Sequence, residues 1–120
     1  MKIAVTAQDH QMTSRVDPRF GRSKCFIVVD TDTGDWITSD NSQNLNAAQG
    51  AGVQAANTVV GLGVDAVLTG HCGPRAFRAL QAADIQVFTG VEGTVEEAVE
   101  RFKNGELARS DAADVDGHWM

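Results

Sequence analysis

The fold class this sequence predicts is α/β, a mixed five-stranded sheet with three main helices, and three stretches predict it. Val64, Ala66, Val67 and Leu68 form a short, almost wholly apolar run, the pattern of a strand buried on both faces, and a helix leaves from Pro74 after a glycine turn. From the middle of the chain onward strands and helices alternate, which calls for parallel strands joined by crossovers. Residues 25–29 and 36–39 are apolar or β-favouring runs joined by a short polar, Gly-containing link, which permits only an antiparallel hairpin.

Taken in order, residues 2–7 alternate, with Ile3 and Val5 on one face, and make strand one. Residues 8–23 show no periodicity and are punctuated by Asp17-Pro18 and Gly21, so they form a long loop, of a length that is usually functional or mobile. The hairpin supplies strands two and three. A polar connection at 41–44 leads to a helix over about 47–62, where Val53, Ala56, Val59 and Val60 approximate one face and Gly61 and Gly63 end it. Gly50 and Gly52 fall in its first turns at a cost of roughly 1 kcal/mol each, which asks for close packing or the approach of a ligand. Strand four and its helix follow, then strand five at 85–88. Thr94 and Glu97 have the spacing of a capping box for the last helix, which Asn104-Gly105 stops.

These elements predict the order 3-2-1-4-5, with strand two antiparallel to the rest. Residues 1–105 are read as one domain and 106–120, with Asp111, Asp114 and Asp116, as a flexible acidic tail. With 120 residues and 42% apolar composition, one modest core is all the chain needs. No run approaches the roughly 20 apolar residues of a membrane span, and no export signal precedes strand one, so a cytoplasmic, monomeric protein is expected. Cys25 and Cys72 lack C-x-x-C spacing and are expected as free thiols.

The net charge is −6, unevenly placed. Lys2, Arg15, Arg19, Arg22 and Lys24 against Asp9 and Asp17 give residues 1–24 a net +3, which leaves −9 for the rest. An acidic body argues against nucleic acid, and its small basic patch suits a small anion. Strands one and four sit side by side with connections leaving in opposite senses, the switch point at which open sheets bind ligands. Two loops meet there: residues 8–22, with His10, Met12, Arg15, Arg19 and Arg22, and Gly70-His71-Cys72-Gly73. Behind the second lies a helix start whose unpaired N–H groups are a ready anion site, with Arg75 and Arg78 in its first turns. His71 and Cys72 are the best soft-metal ligands of the chain, and His10 joins them as a candidate. Each has a bland alternative: Cys72 as a small buried hydrophobe, at even odds, and His10, His71 and Met12 as ordinary loop residues. Cys25 alternates with Ile27 and Val29 and belongs with the core.

Phe20-Gly-Arg22, Asp30-Thr-Asp-Thr-Gly34, Gly50-Ala-Gly-Val-Gln-Ala-Ala56 and Gly63-Val-Asp-Ala-Val-Leu-Thr-Gly70 followed by Gly73-Pro74 together resemble the dinitrogenase iron–molybdenum cofactor biosynthesis family, NifX-like proteins, over about residues 1–103. Within it the chain is similar to the small orange protein type. The resemblance implies a ribonuclease-H-like three-layer fold and a non-enzymatic carrier of a metal–sulfur cluster. A molybdenum–copper sulfide is the first expectation, and the iron–molybdenum cofactor or a precursor the alternative. Cluster donor or acceptor proteins are the implied partners. On that basis the cluster would be held by His10, Met12, Arg15, Arg19, Arg22, Gly50, Gly52, Gly70, His71, Cys72, Gly73 and Arg75, with Cys72, His71 and His10 as the possible metal contacts. Two other classes remain open: a regulatory protein-interaction module without a metal, and a metal-dependent hydrolase of ribonuclease-H-like architecture. The hydrolase needs several converging carboxylates. Strand one has none in its interior, and Asp65 lies at the opposite end of strand four.

Overall fold

Lys2–Ala7 forms β1 at the centre of a single sheet in the computed structural model, which describes residues 1–41 and 50–110. The hairpin follows it as β2 (Cys25–Asp30), antiparallel to β1, and β3 (Trp36–Asp40), antiparallel to β2. On the other side β4 (Ala66–Leu68) runs parallel to β1, and β5 (Gln86–Phe88) parallel to β4. The order is therefore β3-β2-β1-β4-β5, as the sequence predicts.

Three helices cover the sheet. α1 (Ala51–Gly61) and α2 (Pro74–Ala82) share a core with Ala4, Phe26, Val28, Val67 and Val87, which point to one face. α3 (Val95–Lys103) closes the other face over Ile3, Val5, Ile27, Val29 and Leu68. Burial on both faces explains why β2 and β4 read as near-continuous apolar runs, and it corrects the alternating reading of β1, whose residues 3–7 are all buried, Ile3 and Val5 toward α3 and Ala4 toward α1 and α2. Cys25 is fully buried in the α3-side core, as expected.

The local signals act as their chemistry requires. Thr94 Oγ1 accepts from the Glu97 N–H (3.2 Å) and Glu97 Oε1 accepts from the Thr94 N–H (2.9 Å), so α3 opens on a complete capping box. Gly105, at φ +72°, follows its last turn. One correction concerns α1. Its described part begins at Ala51, residues 42–49 lie outside the described set, and Gly50 is a left-handed N-cap (φ +74°) rather than a helix-interior residue. The helical-glycine cost therefore falls on Gly52 alone. Its reason is close packing, since a Cβ on Gly52 would sit 3.3 Å from the Cβ of Ala76.

Residues 8–23 form a tethered segment built from irregularly spaced backbone bonds, which leave no periodic trace in a sequence. Gln8 N–H donates to Arg15 O, Asp17 N–H to Thr6 O, Val16 N–H to Gly93 O, and Phe20 N–H to His71 O, at 2.8–3.1 Å. Val95 and Glu96 N–H groups in turn donate to Ser14 and Met12 O. Of the residues expected in the tail, Arg109 and Ser110 lie beside β5, where Ser110 N–H donates to Val87 O at 2.8 Å, and Glu106 N–H donates back to Arg101 O. Among the described residues no helix is long and apolar enough to cross a membrane.

Candidate functional site

Three segments meet at the carboxyl ends of β1 and β4. The first is the 3-10 turn Phe20–Arg22, the second the start of α1, and the third the run from Gly70 into α2. Two of their contacts are backbone to backbone, and at positions 21 and 70 only glycine permits them. A Cβ on Gly21 would stand 2.9 Å from Gly52 Cα and N, and one on Gly70 would stand 2.7 Å from Pro18 Cα and O. Gly21, Gly52 and Gly70 all lie outside the positive-φ region, so their absent side chains serve approach and not conformation. The switch point is thus not an open cleft. Pro18 is seated directly on the Gly70 turn, and beneath it the buried Thr6 Oγ1 donates to Asp17 O (2.8 Å) and pairs with the Thr69 hydroxyl (2.9 Å).

The electrostatics of this junction favour an anion. Among the described residues the N-caps Gly50 of α1 and Gly73 of α2 offer no side-chain cap, and the first turns of both helices lie close together where Gly52 meets Ala76. Pro74 takes the first helical position of α2, as its missing N–H allows. Arg19 and Arg75 are exposed here, and Arg22 is partly exposed. Arg19 is bridged through its backbone to His71. Arg78 is exposed one turn further along α2. The one nearby acid, Asp17, is half-buried; desolvation pushes its carboxyl above the usual range, against the opposing bond from Arg19 N–H (3.0 Å).

The sequence-derived set divides in two. Arg19, Arg22, Gly50, Gly52, Gly70, His71, Cys72, Gly73 and Arg75 all belong to the three converging segments. His71 is partly exposed, whereas Cys72 is fully buried in the core of the α1 and α2 side, its Sγ 3.7 Å from Gly73 O. Met12 and Arg15 lie toward α3: Met12 packs against the α3-side core, and Arg15 is bridged to Thr94 and acts electrostatically on Glu97. His10 does not join His71. It sits on the hairpin side of β1 with Nε2 2.6 Å from Asp40 Oδ1 and Nδ1 3.0 Å from Asp9 Oδ1, and Asp40 first, then Asp9, raise its pKa. Lys24 bonds the same Asp9 carboxylate at 3.3 Å.

Among the described residues no group of three or more His, Cys, Asp or Glu side chains could hold a metal ion. What this junction can do is bind an anion through N–H donors and guanidinium groups. The carboxylates a hydrolase needs do not converge here: Asp65 accepts from Lys2 N–H (3.1 Å) at the opposite end of the sheet. Sequence reasoning missed the Pro18 contact and the Thr6–Thr69 pair. Gly70 was their only trace, since a glycine immediately after a buried strand signals a close approach as readily as a turn.

Fold and site together define a small α/β protein with an anion-favouring junction at its switch point. The chain belongs to the dinitrogenase iron–molybdenum cofactor family, which it matches over residues 1–105. It is similar to the orange protein of Desulfovibrio gigas, whose structure was solved in the apo form, at 41% identity and a TM-score of 0.93 over 95% of this chain and 96% of that one. A putative NifB protein from Thermotoga is 28% identical, with a TM-score of 0.80 over 95% of this chain and 98% of its own. An uncharacterized protein of Methanocaldococcus jannaschii is 26% identical over 111 residues, 91% of each chain.

Proposed function

We propose that this protein is a non-enzymatic carrier of an anionic metal–sulfur cluster, of the molybdenum–copper sulfide type, with the iron–molybdenum cofactor or a precursor as the alternative cargo. The observation that carries the reading is the approach of two helix N-termini whose N-caps, Gly50 and Gly73, offer no side-chain cap among the described residues, beside Arg19, Arg22 and Arg75. A thiometallate cluster is negatively charged and presents sulfide at its surface, so it is met by N–H donors and guanidinium groups without a full set of ligating side chains. Membership of the family and the likeness to the orange protein support that cargo class. The three-layer arrangement supports the ribonuclease-H-like description, here as a scaffold without its carboxylate chemistry. Donor and acceptor proteins for the cluster follow from a carrier's role.

Within this reading His71 is the candidate metal contact closest to the rim. Cys72 reaches the cargo only if the turn opens, because its thiol is buried. Arg15, Met12 and His10 are secondary contacts, brought in by movement of residues 8–23. The test is reconstitution with thiomolybdate and copper(I), read by absorption spectrum and metal analysis. Charge reversal of Arg19 and Arg75 to Glu abolishes binding, whereas Cys72→Ala retains it with an altered spectrum. Complete loss in the cysteine variant shows direct thiolate ligation instead, and unchanged binding after the arginine reversal removes the site from this junction.

A further inference from the structure

The two edges of the sheet are finished differently. Beyond β5, residues 109 and 110 lie alongside Phe88 and Val87 and occupy that edge. Beyond β3, nothing among the described residues pairs. The bonds Asp30 N–H to Asp35 O and Asn41 N–H to Lys24 O (both 2.9 Å) mark hydrogen-bonded pairs at the two ends of the hairpin. Alternation along an antiparallel ladder then turns the N–H and C=O groups of Ile37 and Ser39 toward β2 and those of Trp36, Thr38 and Asp40 outward.

Edge strands are ordinarily guarded by proline, by lysine, by a bulge or by a cover. β3 contains no proline or lysine, and its register with β2 is unbroken from Trp36 to Asp40. It carries instead two exposed large apolar residues, Trp36 (40% exposed) and Ile37 (62%). They belong to opposite faces, since Trp36 stands across from Val29 of the α3-side core and Ile37 across from Val28 of the other core. An added strand would cover both.

Charge selects the occupant. Asp35 and Asp40 bracket the strand and both are exposed, whereas Asp32, just before it, holds the N-terminal ammonium at 2.8 Å. At the Asp40 end His10 meets one carboxylate oxygen at 2.6 Å and Lys24 is bonded to Asp9, but the Asp40 side chain stays 68% exposed. A second copy would bring an edge with the same acids at its two ends and no Lys or Arg between Thr31 and Asp40 to meet them, so it supplies no complementary charge. We propose that the open edge of β3 is a docking strand for an extended segment of another protein, apolar at its centre and flanked by Lys or Arg. Backbone bonds to Trp36, Thr38 and Asp40 supply affinity, and Asp35 and Asp40 supply selectivity. The proposal is independent of the cargo site.

The probe is the capped peptide Lys-Val-Thr-Val-Thr-Lys, added to the isotope-labelled full chain and compared with its Glu-flanked counterpart. The expected result is chemical-shift change and slowed hydrogen exchange at the Trp36, Thr38 and Asp40 amides, with binding of the Glu-flanked peptide weaker by about tenfold, the worth of two cross-strand charge pairs. Thr38→Pro removes an outward N–H without touching the β2 ladder and abolishes the effect. Asp35→Lys, a surface change that serves where the proline variant fails to fold, narrows the preference between the two peptides. Equal binding of both peptides, or shifts confined to another surface, overturns the proposal. So does a dimer in sedimentation that Thr38→Pro dissolves, which would make the occupant a second copy.

Discussion

Gly70→Ala tests how the segment 8–23 is held over the switch point. A methyl there would stand 2.7 Å from Pro18 Cα and O and 3.0 Å from its carbonyl carbon, so either the loop or the turn must move. Because Gly70 is not at positive φ, alanine suffers no conformational penalty and the whole cost is steric. Overpacking of that kind costs about 1–3 kcal/mol. The displaced segment also carries Asp17 N–H to Thr6 O and Phe20 N–H to His71 O, each worth about 1 kcal/mol if broken. With one of the two bonds broken a loss of about 2–4 kcal/mol follows, and at roughly 4 °C per kcal/mol for a chain of this size the Tm falls by about 8–16 °C. Two neighbours calibrate the result. Gly61→Ala, with nothing within 4 Å of the new Cβ, stabilises by about 0.5–1 kcal/mol. At Gly52 the 3.3 Å approach to Ala76 Cβ offsets a helix-propensity gain of about 1 kcal/mol and leaves little net change. Calorimetry with urea unfolding measures all three, and hydrogen exchange at Asp17 and Phe20 reports the loop directly. A Gly70→Ala protein as stable as the parent, with unchanged exchange there, would refute the seating of Pro18 on the turn.

Three further outcomes are expected. His10 meets carboxylates on both ring nitrogens, a pairing fully satisfied only by imidazolium, and Asp40, then Asp9, raise its pKa above the usual 6.5. The stabilisation is therefore complete below pH 6.5 and is lost as pH rises through the folded-state value; His10→Gln flattens that slope, and a proton-NMR midpoint at or below 6.5 would contradict the pairing. Burial first, then Asp40 and Asp9, push the Cys25 thiol up to about 11, so mass spectrometry finds it unalkylated in the folded protein at pH 8 and labelled after urea. Rapid labelling of the folded chain would count against it. Thr94→Ala removes the cap of α3 and costs about 1 kcal/mol, with most of it recovered in Thr94→Ser; equal stability of the two variants would show that the capping box contributes nothing.

The fold was legible because its signals are local and redundant. β2 and β4 are apolar over consecutive residues because helices cover both faces, and the link from Asp30 to Trp36 leaves only one way to join its strands. Thr94 and Glu97 announce α3 by a bond that forms within one turn. The start of α1 was less legible, because a glycine in the left-handed cap and a glycine inside the helix look alike in sequence. Only the +74° at Gly50 separates it from Gly52.

The candidate site was half legible, and the dividing line is physical. Topology alone carries residues 19–22 and 70–76 to the carboxyl ends of neighbouring strands, so the arginines and the Gly73 helix start could be placed from strand order. Where a loop side chain goes after leaving a strand depends on bonds that strand order does not encode. His10 follows β1 by three residues and could turn toward β4 or toward the hairpin, and the Asp40 and Asp9 carboxylates draw it to the hairpin. Burial of Cys72 has the same origin: the turn after β4 is pressed from above by Pro18, and the residue falls within the core that Phe20 and Ala76 share. A contact made through Gly21, Gly52 and Gly70 leaves no side chain at the junction's centre, so what it presents to an anion is mainly backbone N–H. On the proposed reading specificity comes from the arginines at its margin, so their charge reversal, and not removal of the buried thiol, is the change that tests it.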